Sequence, residues 1–241
     1  MTNLKNKRIV VLGGSAGIGF AVAALAARDG ARVVIGSSNA ERVHAAVAKL
    51  APGDHAGHPV DLRSPHAVSA LFAELGAIDH LVYTAGEELM IGPLAELDVT
   101  AAHAFFELRF WGALGAIRAA RPHLAHDGSI VLTGGTAGRR PHPGFVIGAS
   151  ICAAMEAVTR TLAVELAPVR VNIVVPGFVD TELWSNIPTA ARQQMFREAA
   201  GKLPVGRIGT PADIAEHYLG FLRGGYVTGQ ALVVDGGGVL V

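Results

Sequence analysis

A chain of 241 residues that is 51% hydrophobic and 17% charged has enough apolar material for a sizeable buried core. Its 20 basic and 20 acidic residues cancel, leaving no basic excess for nucleic-acid binding, and its single cysteine excludes an internal disulfide framework. Arg, Asp, Glu, His or Gly breaks every apolar run well before the roughly 20 residues that a membrane span needs, so no spanning helix is expected. A metabolic or small-molecule-binding protein is the default for such a composition, and MTNLKNK runs into IVVL without the long apolar core and cleavage site of a signal peptide, so the cytoplasm is the expected compartment.

In chain order, RIVVL (8–12), ARVVI (31–35), HLVY (80–83), SIVLT (129–133), VRVNIVV (169–175) and ALVV (231–234) read as strands. HAGH (55–58) reads as a strand edge, and the Ala-rich amphipathic stretches between strands read as helices. That alternation predicts a parallel sheet covered on both faces, a doubly wound three-layer α/β/α arrangement. Residues 1–241 hold no Pro/Ser-rich linker, charge block or repeat, so they read as a single domain. Gly30 reads as a helix stop, and Thr210 before Pro211 as an N-cap followed by a first-turn proline. Residues 181–202, helical in pattern with Trp184 and Phe196 among polar residues, interrupt the strand order after a Pro-Gly turn, as a lid would.

LGGSAGIGFAVAALAARDG (12–30) follows the first strand and opens the first helix. Gly13, Gly17 and Gly19 allow a sharp turn and a close approach of backbone to a pyrophosphate on the amide end of the helix, with Ser15 and Ile18 in the same turn. A glycine-rich strand-to-helix turn also forms without any ligand, so the motif does not decide the matter alone.

The turn is followed by VDL with Asp61, YTAG (83–86), GSIVLTGG (128–135), NIVVPGFVDT (172–181) and TGQALVVDGG (228–237). In this order and over essentially the whole chain, these stretches resemble the short-chain dehydrogenase/reductase family. The resemblance implies a Rossmann fold, a pyridine dinucleotide cofactor, and association as a homodimer or homotetramer. It implies that Asp61 and Leu62 flank the adenine, that Ala85 and Gly86 line the ribose side, and that Pro176, Gly177, Val179 and Thr181 line the nicotinamide. Taken singly, Asp61 also reads as a helix-capping residue and Pro176-Gly177 as a plain turn. An acidic residue at the end of the second strand would bind the ribose 2′-hydroxyl of NAD, and Ser37, Ser38 and Asn39 stand there, with Arg42 one turn on. NADP is therefore the expected cofactor. NAD stays open, because Ala16 occupies the place where NADP-preferring relatives often carry a basic residue, and Ser37 and Ser38 also read as solvated loop.

Family members use a Tyr, a Lys, a Ser and an Asn for the reaction. Counting from GSIV puts the Ser position at Gly135, the Tyr position at Gly148 and the Lys position at Cys152, and the 105–124 helix puts Arg109 at the Asn position. No Tyr or Lys lies between Gly86 and Lys202, so a slip of one residue would not restore them. General acid catalysis contributes about 10² to 10⁴ in rate, so an unactivated ketone would be reduced slowly. An iminium, a conjugated system, or a substrate whose anion Arg109 stabilises would need no phenol. Arg109, His142 and Thr136 are the candidate catalytic residues. Arg109 is a charge in an aromatic-rich helix that needs a partner, His142 is a loop histidine that could supply a proton, and Thr136 flanks the Ser position together with Thr133. His142, Arg139 and Arg140 also read as loop surface, Glu87 and Glu88 as a solvated pair at the cleft rim, and Cys152 as a packed thiol with a raised pKa. The ten histidines show no metal-ligand spacing. Three functions fit: an oxidoreductase with a non-standard proton route, a non-catalytic cofactor-binding regulator or scaffold, and a non-redox lyase or isomerase.

Overall fold

The computed structural model describes residues 3–87 and 89–241. Short β-branched runs form seven strands: β1 (Arg8–Leu12), β2 (Arg32–Ser37), β3 (Ala56–Pro59), β4 (Ile78–Tyr83), β5 (Leu124–Thr133), β6 (Arg170–Pro176) and β7 (Ala231–Val234). All pair in parallel, in the order β3-β2-β1-β4-β5-β6-β7. Side chains alternate along each strand, and both alternating sets are apolar because both sheet faces are covered. Val10 and Leu12 of β1 enter one buried cluster, Ile9 and Val11 the other.

The helices that cover the sheet are α1 (Gly17–Arg28), α2 (Ala40–Val47), α3 (Pro65–Leu75), α4 (Val99–Phe106), α5 (Ala113–Ala120), α6 (Val146–Glu165), α7 (Thr189–Lys202) and α8 (Pro211–Arg223). The cluster on one face takes residues from α1, α2 and α8, and the other takes residues from α3 to α6. Gly30 adopts φ +80 beyond the end of α1, and the Gly30 and Ala31 amides bond back to the Ala27 and Ala26 carbonyls. That double bond pattern is the reason for a glycine at the expected helix stop. Thr210 caps α8 as expected, in a reciprocal box with Asp213. HAGH becomes the short outer strand β3.

Between α4 and α5 the helix widens into a π-helical turn, Glu107–Gly112. The Tyr83 hydroxyl at the end of β4 donates to the Leu108 carbonyl at 2.6 Å, satisfying a group inside that turn. β5 begins at Leu124, earlier than SIVLT, because Leu124 pairs with Ile78 before a register shift brings Ser129 opposite His80. Residues after β6 leave the sheet and return at Gly209, where an isolated parallel bridge to Val179 closes the base of the excursion. Within the excursion, buried Trp184 stacks on Phe178 at 5.4 Å and meets Phe196 of α7 edge-on, and its ring N–H donates to the Val179 carbonyl. α6 is the one helix among the described residues that is long and apolar enough to cross a membrane, and one of its faces buries Ile151, Met155, Thr159 and Ala163.

Candidate active site

β1 runs outward to β2 and β3 on one side, and the chain then crosses back to β4 on the other. The crevice at the carboxyl ends of β1 and β4 is thus a switch point, where open α/β sheets bind ligands. Gly13 has φ +86, and a Cβ there would lie 2.5 Å from the Ala85 amide nitrogen, so the two strand ends meet through bare backbone. A Cβ on Gly19 would strike the Gly13 carbonyl and Thr84 Oγ1, both at 2.3 Å. Ala16 makes no side-chain cap, the first turn of α1 carries no acid, and Gly17 has φ +53. No side chain of the turn itself caps the amide end of α1, and its residues fit a pyrophosphate.

Among the other expected cofactor positions, Ser37, Ala85 and Thr181 lie against this turn. Ser15 and Ser37 join through their hydroxyls at 3.0 Å, Ser38 is exposed, and Asn39 caps α2 through the Arg42 amide. Ile18 packs against the cluster beneath α1. Leu62 is buried; Asp61 is exposed and accepts from the Arg63 amide, while the cap of α3 is Ser64, so the capping alternative for Asp61 does not hold. Thr181 Cβ lies 3.6 Å from a Cβ built on Gly17, and Glu182 Oε2 lies 3.4 Å from it, which brings the segment expected on the nicotinamide side against the glycine turn. Pro176 ends β6, and a Cβ on Gly177 would strike Asp235 at 2.5 Å, so that glycine is needed for the passage of the chain beyond β7. The Val179 side chain is buried in the core, and its carbonyl accepts from the Trp184 ring.

On the reaction side, a Cβ on Gly135 would lie 3.0 Å from Cys152 Sγ, while a Cβ on Gly148 meets nothing within 4 Å. The thiol thus faces the Ser position, and the Tyr position opens onto free space. Burial pushes the Cys152 thiol up, against the opposing pull of the Arg109 cation. Arg109 projects from the π-helical turn and lies against Gly86, where a Cβ would come within 2.6 Å of its Cζ. Its Nη2 donates to the Glu87 carbonyl, its Nε stands 3.7 Å from Glu87 Oε2, and its Cζ sits 4.8 Å from the centre of the Phe105 ring. Burial lowers its pKa, with Glu87 opposing.

Glu87 also accepts from Arg63 at 2.6 Å, so one carboxylate bridges two arginines. Neither partner is readable from local spacing, because the three residues come from three separate segments. Glu88 lies outside the described residues. Thr133 turns inward, bonded to the Tyr83 carbonyl and the Tyr218 hydroxyl, whereas Thr136 sits in the one-turn helix just after Gly135. His142 is exposed, its ring 6.0 Å from Phe145. Arg139 forms a paired bond with Glu156 of α6, and Arg140 donates to the Gly238 carbonyl, so both loop arginines have structural partners. No cluster of three or more metal-ligating side chains occurs among the described residues.

Residues 13–238 match the family described as enoyl-(acyl carrier protein) reductase. The short-chain dehydrogenase/reductase ATR9 of Stachybotrys chlorohalonatus is 35% identical over 254 residues, spanning 100% of both chains. A crystal structure of a small-chain dehydrogenase in complex with NADPH is 33% identical, with a TM-score of 0.84 over 98% of this chain and 100% of its own. A short-chain oxidoreductase from Pseudomonas aeruginosa PAO1, solved with NADPH bound and described as containing an atypical catalytic center, is 29% identical, with a TM-score of 0.89 over 98% of each chain. With sequence and fold matched from end to end, this chain belongs to the short-chain dehydrogenase/reductase family.

Proposed function

We propose that the protein is an NADP-preferring oxidoreductase that works without a proton-donating phenol, on an activated or anionic small molecule. The observation that carries this reading is a glycine turn at the end of β1 that its own side chains leave uncapped, together with Arg109, Gly135, Gly148 and Cys152 beyond the ends of β4 and β5. Gly13, Ser15, Gly17, Ile18 and Gly19 would hold the pyrophosphate, Asp61 and Leu62 the adenine, Ala85 and Gly86 the ribose, and Pro176, Gly177, Val179 and Thr181 the nicotinamide. The absence of an acid at the end of β2 supports NADP, as do the NADPH complexes of the two related structures. When bound, the reduced cofactor supplies a hydride, and that chemistry is its own. The chain's residues orient, exclude water and stabilise charge. Arg109 is a cation whose charge acts on Cys152 at the Lys position, Thr136 a hydroxyl beside the Ser position, and His142 a proton source within the loop that leads to α6.

The segment from Thr181 to Lys202 would act as the lid, hinged where Val179 bridges Gly209. Self-association as a dimer or tetramer is supported by Trp111, 56% exposed beside α4, and Val164, 80% exposed on α6. The cytoplasm is the proposed compartment. A shift of NADPH fluorescence on mixing, followed by NADPH consumption with imines, enones or quinones, tests the reading. Turnover should be lost in Arg109→Ala and kept in Cys152→Ala; no fluorescence change with either NADPH or NADH would overturn it. The open position at Gly148 also favours a second reading, a cofactor-binding regulator or scaffold, which nucleotide binding without turnover and a co-purifying partner would support. A lyase or isomerase reusing the crevice would transform its substrate without consuming NADPH.

A further inference from the structure

Arg109 is only partly accounted for by its neighbours. Its Nε and Glu87 Oε2 are buried without a hydrogen-bond partner, and Nη2 is committed to the Glu87 carbonyl. No acceptor among the described residues takes Nη1. The guanidinium reaches the end of β4 only because residue 86 is glycine, since a Cβ there would lie 2.7 Å from Nη1.

The charged and titratable groups around it come from every neighbouring element: Tyr83 from β4, Glu87 from the following loop, Cys152 from α6, and Arg63 on the far side of Glu87. Burial raises both the Cys152 thiol and the Tyr83 phenol, which keeps them neutral near pH 7. Arg63 has a second carboxylate, Asp61 Oδ1 at 3.8 Å, whereas the Arg109 guanidinium has only Glu87, which it shares with Arg63.

We infer that Arg109 is an oxyanion-binding cation and that the substrate is a conjugated carbonyl compound, an enone, enoyl ester or quinone, whose reduction leaves a delocalised enolate or phenolate. The inference rests on the oxidoreductase reading above and narrows its substrate. A guanidinium donates hydrogen bonds but does not give up its proton. The product anion must therefore persist until solvent protonates it. Reduction of a simple ketone gives a strongly basic alkoxide that needs a proton in the same step. An iminium would bring a second positive charge up to the buried Arg109 guanidinium, where repulsion is poorly screened. In a quinone, the hydride of the reduced dinucleotide forms an O–H bond at one carbonyl oxygen and the ring π pairs shift to leave phenolate charge on the other; in an enone or enoyl ester, it forms a new C–H bond at the β-carbon. The carbon–carbon π pair shifts to give the enolate, with charge on the oxygen that Nη1 would hold, and water later protonates the α-carbon. Two electrons and one hydrogen nucleus come from the cofactor, and one proton from solvent.

The test uses 4-nitrophenol as an oxyanion probe, titrated into the NADP⁺-loaded protein and followed by its phenolate absorbance. Wild type should bind the ionised form and hold it ionised below the pH at which it protonates in solution. Arg109→Met should weaken phenolate binding roughly 10- to 100-fold, the loss of a hydrogen bond to a charged group, and Arg109→Lys should keep part of it. Glu87→Gln, which removes the neutralising carboxylate, should tighten phenolate binding; a merely structural role for the pair would weaken it in both variants. Binding of the neutral phenol, or equal ionisation in an Arg109→Met protein with an unchanged circular-dichroism melt, would overturn the inference. In turnover, cyclohexenone or a benzoquinone should consume NADPH and a preformed dihydroisoquinolinium should not. Preference for the iminium overturns this inference and leaves the oxidoreductase reading standing, whereas failure of wild type to bind NADP⁺ or NADPH overturns both.

Discussion

Gly19 and Gly148 both lie in the first turn of a helix, and the same methyl group has opposite consequences at the two. At Gly19 it would sit 2.3 Å from the Gly13 carbonyl and from Thr84 Oγ1, so Gly19→Ala must spread the β1–α1 turn away from the end of β4. At Gly148 it meets nothing within 4 Å, so Gly148→Ala removes only backbone freedom in α6. We expect Gly19→Ala to cost about 1–3 kcal/mol by overpacking and to abolish dinucleotide binding. Gly148→Ala should stabilise by about 0.5–1 kcal/mol. Thermal melts of both variants, with NADPH titrations alongside, check the pair. The need for glycine in the turn was legible because its spacing is local. The surroundings of Arg109 were not: a charge in an aromatic-rich helix announces that it needs a partner, but Glu87 reaches it from another segment of the chain and is itself held by Arg63 from a third.

Elements whose ends are fixed by neighbouring residues were readable, and those fixed by distant contacts were not. Thr210-Pro211 marks the start of α8 in the sequence itself, and the structure adds the return bond from Asp213, whose carboxyl is held well below its usual range, first by its hydrogen bond with Arg207. Thr210→Ala should lower stability by about 1 kcal/mol, measured by urea denaturation, while leaving nucleotide affinity unchanged. No loss would mean that the Asp213 side of the box is sufficient. The π-helical turn at Glu107–Gly112 had no comparable signal, since it is matched by a Tyr83 hydroxyl from β4. The early start of β5 likewise depends on pairing between Leu124 and Ile78, which no periodicity within the segment reveals. Most strands were visible because a sheet buried on both faces demands unbroken β-branched runs; AGHP, on the outer edge, carries the weakest such pattern.

At the scale of the whole molecule, the sheet holds a pH-sensitive group far from the crevice. His80 on β4 is 5% exposed, its Nδ1 2.8 Å from Ser129 Oγ on β5, and burial lowers its pKa from 6.5 to about 4. The unfolded chain therefore takes up this proton more readily than the folded one. The contribution is fully present above pH 6.5 and is lost as pH falls through about 4. It amounts to about 3 kcal/mol, so melting temperature should drop over that interval and drop less in His80→Gln; parallel acid profiles would contradict the assignment. The fold as a whole converges on one crevice, and the direct test of its purpose is a calorimetric titration of the protein with NADPH and, separately, with NADH. The expected result is saturable heat at micromolar NADPH, weaker binding of NADH, and none of either in Gly19→Ala. Wild-type protein that gives no heat with either nucleotide would contradict the account at its root.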